Sequence, residues 1–82
     1  MPLTIFGITG VSPTRRERVE AAVEAGGRRA SKQFEAWILA DPFGKMVRVL
    51  MTGPQGFERT VTFPVDEDPV LIELMVRETI DE

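Results

Sequence analysis

The chain reads as an α+β domain built as a two-layer sandwich. Its elements run in the order β-α-β-β-β-α, and a mainly antiparallel sheet carries both helices on one face. Three observations predict this. Two short helical segments each open on a cap-then-proline pair, Ser12-Pro13 and Asp68-Pro69. Between them, three apolar runs are separated by Asp41-Pro42-Phe43-Gly44 and Gly53-Pro54-Gln55-Gly56, both rich in turn residues. A further β-branched and aromatic run, bounded by Pro2 and by Gly7 and Gly10, precedes the first helix.

Taken in order, residues 3–8 form the first strand. Ser12 is the expected N-cap of a helix over 13–25, where Pro13 gives up a backbone N–H that the helix would leave unpaired. Gly26-Gly27 is expected to stop that helix, with Gly26 in the left-handed C-terminal conformation. Its apolar stripe is narrow, Val19, Ala22 and Val23, so it lies on a surface and buries one edge. Strands over 34–40, 45–51 and 57–63 follow as an antiparallel meander. Asp41-Pro42-Phe43-Gly44 suits a type I turn. In the third of these strands Phe57, Arg59, Val61 and Phe63 share one face, and Glu58, Thr60 and Thr62 the other. The second helix covers 69–80, with Asp66, Glu67 and Asp68 at its positive N-terminal end. The first strand is too far from the meander to be a hairpin partner and is expected at an edge.

Eighty-two residues, 43% hydrophobic and 28% charged, suit one folded domain rather than a disordered segment. No run approaches the ~18 apolar residues of a membrane span, and the first residues lack the pattern of a signal peptide. With no cysteine there is no disulfide, thiol nucleophile or thiolate-bound metal, and a reducing, cytoplasmic setting is expected. Histidine and tyrosine are absent too. That removes the usual general base near neutral pH and the commonest transition-metal ligand. No catalytic residue, metal site or cofactor is expected, and the chain is not expected to be an enzyme.

Two candidate surfaces remain. If Ala36, Ile38, Val47, Val49, Met51, Val61 and Phe63 face the helices, then Trp37, Leu39, Met46 and Leu50 point away from them. On the second helix Leu71, Ile72, Met75, Val76 and Ile80 make up the inward half, which leaves Val70 and Leu74 on the other side. Apolar residues in excess of one core mark a protein contact. The expected contact set is therefore Trp37, Leu39, Met46, Leu50, Val70 and Leu74. The expected partner is a second copy, giving a homodimer, or another protein.

The alternative is an anion- or nucleic-acid-binding accessory domain using Arg15, Arg16, Arg18, Arg28 and Arg29. Three of these open the first helix, against its dipole. Charge is uneven along the chain: residues 1–50 hold eight basic and five acidic side chains (+3), and residues 51–82 hold two and eight (−6). The glycines at 7 and 10 fit neither the dinucleotide fingerprint nor the phosphate loop. An overall pI near 4.9 argues against non-specific nucleic-acid binding. The acidic set Asp66, Glu67 and Asp68, with Asp81 and Glu82, lacks the alternating pattern of a calcium loop.

The helix–three strands–helix order over 13–80 resembles that of double-stranded-RNA-binding domains and of the small toxin nucleases that share their fold. In the RNA-binding family a lysine-rich motif at the start of the second helix grips phosphates. The matching stretch here is Asp66-Glu67-Asp68-Pro69, which repels them. The toxin nucleases rely on a histidine, which this chain lacks. The resemblance implies a layout and neither function.

Overall fold

A computed structural model describes residues 3–28, 30–41, 43 and 45–80. Its elements are β1 (Leu3–Thr9), α1 (Pro13–Gly27), β2 (Phe34–Ala40), β3 (Met46–Thr52), β4 (Glu58–Pro64) and α2 (Pro69–Ile80), with a 3-10 turn at Pro54–Gly56. The four strands form one sheet in the order β1-β2-β3-β4. β1 runs parallel to β2, and the other two pairings are antiparallel. The sheet is therefore mixed, with β1 at an edge as expected. The helix–three strands–helix layout is present with β1 added beside β2.

Strict alternation builds the core. Phe34, Ala36 and Ile38 of β2, Val47, Val49 and Met51 of β3, and Val61 and Phe63 of β4 are buried on the helix side. They meet Val19, Ala22 and Val23 of α1 and Ile72 and Val76 of α2. Among the described residues no polar or charged side chain is buried, so burial carries no desolvation cost of the kind an unpaired polar group would impose. The radius of gyration, 11.6 Å, matches the ~12 Å expected of a folded chain this long.

Three local expectations are corrected. First, α1 does not stop at Ala25. It continues through Gly27, and Gly26 is not left-handed: positive φ among the described glycines occurs at Gly10 and Gly56. Gly26 and Gly27 serve close packing instead. A Cβ on Gly26 would lie 2.6 Å from the Val76 Cβ and 2.7 Å from the Glu73 carbonyl oxygen, and one on Gly27 would lie 2.6 Å from the Leu3 Cβ. Second, Ser12 sits at the N-cap with extended backbone, but its side chain makes no capping hydrogen bond. Its carbonyl accepts from the N–H groups of Arg15 and Arg16. Third, Leu71, placed on the inward half of α2, is 46% exposed. Arg59 shares the β4 face of Val61 and Phe63 as expected, pairing with Met51 where they pair with Val49 and Val47. Near the end of the strand it is exposed, and its guanidinium lies 5.3 Å from the centre of the Phe57 ring.

Other local signals hold. Asp68 Oδ1 accepts from the Val70 N–H at 2.9 Å and caps α2. Asp41 Oδ1 accepts from the Lys45 N–H at 2.8 Å, and the Asp41 N–H donates to the Met46 carbonyl, closing the β2–β3 hairpin. The type I geometry expected there involves residues 42 and 44, which lie outside the described set.

Candidate protein-contact surface

Because both helices pack on one side, the other side of the sheet has no layer over it among the described residues. Cross-strand pairing sets what it presents. Trp37 stands opposite Leu50, Leu39 opposite Arg48, Leu50 opposite Thr60, and Arg48 opposite Thr62. Trp37 and Leu50 are half-buried by their neighbours, while Leu39 and Met46 are 43% and 39% exposed. The structure thus brings four of the six expected contact residues onto one face.

Phe6 joins them. The β1–β2 register shifts between Ile5 and Gly7, so Phe6 is an extra residue on the edge strand. Its ring stacks on the Trp37 indole at 5.6 Å between centroids and 21° between planes, yet Phe6 remains 59% exposed. Gly7 lies beside the indole, where a Cβ would make ordinary contact at 3.7 Å. Phe6 was not among the expected residues. A glycine inside a strand signals a bulge, and Gly7 was the available clue. At the other corner Leu39, Met46, Arg48 and Thr62 line a shallow depression of about 340 Å³.

Val70 and Leu74 do not belong to this face. Both lie on α2, which packs on the helix side of the sheet. Val70 is exposed and Leu74 half-buried. With exposed Leu71 they form a second apolar surface.

The arginines of the alternative do not converge. Arg15, Arg16 and Arg18 lie in the first turns of α1 and Arg28 just past its last, about 15–20 Å away at 1.5 Å per residue. Arg16 Nη2 donates to the Ile8 carbonyl at 3.3 Å, and Arg18 Nη2 to the Glu67 carbonyl at 3.1 Å. Both side chains thereby tie α1 to neighbouring segments. Arg29 lies outside the described residues. Two other cations, Lys32 and Arg59, line a separate cleft of about 520 Å³ with Gln55, Phe57 and Ile80. There Phe34 and Phe57 meet edge to face at 5.0 Å.

Among the described residues no group of three or more acidic side chains gathers as a metal site. Asp81 and Glu82 lie outside them. Among the described residues, too, no helix is long and apolar enough to cross a membrane. No protein-family profile matches the chain, and no curated protein or solved structure shows significant similarity to it.

Proposed function

We propose that this domain is a non-enzymatic binding and assembly module that works by protein–protein contact, with the outer face of its sheet as the contact surface and a second copy among its partners. The observation that carries this reading is the uncovered cluster of Phe6, Trp37, Leu39, Met46 and Leu50. The core on the helix side is closed without these side chains, so packing does not account for them. A stacked aromatic pair at one corner of the face and an apolar depression at the other offer the rigid anchor and pocket that energetic centres of interfaces favour. Arg48 and Thr62 supply polar groups beside that apolar patch, as interfaces commonly do.

The face can be tested through its two most open aliphatic residues. In a Leu39→Lys, Met46→Lys double variant the fold is expected to persist, because neither side chain is in the core. The wild-type protein is expected to bind an apolar fluorescent dye, and the double variant to lose most of that signal. Equal dye binding by both proteins would take the contact away from this face. Self-association is checked separately by light scattering after size exclusion. A strict monomer at roughly 100 µM would remove that part of the proposal.

A further inference from the structure

The outer face does not say how two copies would meet, but the sheet edges do. The β1 edge is blunted: it carries the bulge at Phe6, and Arg16 occupies the Ile8 carbonyl. Bulges and covering side chains discourage edge pairing. The β4 edge carries no bulge. The Val65 N–H donates to the Lys45 carbonyl, and the Gly53 N–H to the Phe57 carbonyl. Antiparallel alternation between those pairs turns the backbone groups of residues 59, 61 and 63 toward β3 and those of 58, 60, 62 and 64 outward.

At both ends of the outward row a carbonyl is occupied. Arg59 Nη1 donates to the Glu58 carbonyl at 2.9 Å, and the Glu67 N–H donates to the Pro64 carbonyl at 2.9 Å. Proline has no N–H to offer. What remains in the middle is the N–H and C=O of Thr60 and of Thr62. Two donors and two acceptors, symmetric about Val61, are self-complementary under a two-fold axis.

On the reading that the domain self-associates, we infer that two copies join through antiparallel β4 edges centred on Val61. Thr60 of each copy exchanges both backbone hydrogen bonds with Thr62 of the other, and the two sheets become one of eight strands. Directly opposed threonines are a favourable cross-strand pair. The helices agree with this placement. Thr60 and Val61 share a groove of about 310 Å³ with Met75, Glu78 and Thr79 of α2. Leu71 lies four residues before Met75, on the same flank of the helix. The axis therefore sets the Leu71–Met75 flanks of two α2 helices beside each other, which accounts for the exposure of Leu71. It also sets the acidic 66–68 turn of one copy abreast of the 53–57 turn of the other, close to Lys32 and Arg59. At both ends Lys32 and Arg59 of one copy, with Glu58 next to Arg59 in the chain, thus face the acidic turn of the other. The seven residues of β4 with the α2 flank fall short of the ~20–30 residues a side of a standard interface, so the dimer is reversible. It leaves both outer faces open and joins them into one surface.

The test is light scattering at roughly 100 µM, a concentration suited to so small an interface, combined with acrylamide quenching of the single tryptophan. Thr60→Pro removes an outward N–H without touching the β3 ladder, and Leu71→Asp charges an exposed helix position. Each is expected to convert dimer to monomer while the circular dichroism spectrum is retained. Trp37 quenching is expected to be the same above and below dissociation. If Thr60→Pro fails to fold, Leu71→Asp carries the same test. A dimer that survives both variants overturns the edge, as does one that shields Trp37 and is broken by Leu39→Lys with Met46→Lys; in those cases self-association stands. A monomeric wild-type protein overturns self-association and the edge with it.

Discussion

At Gly26 two residue-scale effects compete. Replacing a helical glycine by alanine ordinarily stabilises by up to about 1 kcal/mol. Here the added methyl meets the Val76 Cβ and the Glu73 carbonyl well inside contact distance, and neither is the loose end of a flexible side chain. Overpacking costs about 1–3 kcal/mol, so steric crowding wins. Gly26→Ala is expected to lower stability by about 1–2 kcal/mol, read as a fall in the urea midpoint at unchanged slope. Gln55 is the opposite case. It holds φ 59° in the left-handed region, which a residue with a Cβ adopts at a cost of about 1–2 kcal/mol. Gln55→Gly relieves that cost and concedes some entropy in the unfolded chain. The expected net gain is about 0.5–1 kcal/mol, seen as a higher urea midpoint.

The two helix starts look alike in sequence and differ as elements. Both are cap-then-proline pairs, yet only Asp68 hydrogen-bonds a backbone N–H of its helix. Asp68→Ala is therefore expected to cost about 1 kcal/mol, the usual loss for a working cap. Ser12→Ala is expected to stay within about 0.5 kcal/mol, like other surface substitutions. Thermal melts of the two variants side by side check the contrast. α2 shows a second elemental effect. The helical wheel expresses angle and not surroundings, so it placed Leu71 inward. Ile72 and Val76 alone of its apolar residues are fully enclosed by α1 and the sheet, and Leu71 falls on the flank that β4 is too near the edge to cover.

For the molecule as a whole, stability rests on one apolar core under one sheet. At ~0.05–0.15 kcal/mol per residue, a chain of this size has on the order of 4–12 kcal/mol to lose. Ile38 is fully buried in an interior strand, and Ile38→Ala should remove about 2–5 kcal/mol. At ~4–8 °C per kcal/mol for a domain of this size, the melting temperature should fall by about 10 °C or more. The outer-face pair Leu39→Lys with Met46→Lys should shift it far less. A large loss from the outer-face variant would mean that this face belongs to the fold rather than to a partner.

Strand alternation made Ala36, Ile38, Val47, Val49 and Met51 legible as core, and with them the outward placement of Trp37, Leu39, Met46 and Leu50, because period-two geometry is local to each strand. The order of elements was legible for the same reason: caps, prolines and turns act over a few residues. Which surface each leftover apolar residue occupies was not. Val70 and Leu74 part from the sheet residues because α2 packs on the opposite side. Phe6 joins Trp37 through a bulge that appears only when β1 pairs with β2. The glycines at 26 and 27 are packing positions because Val76 and Leu3 arrive against them from other segments. Periodicity along the chain decides what points which way within an element; contact across the chain decides what, if anything, is there to meet it.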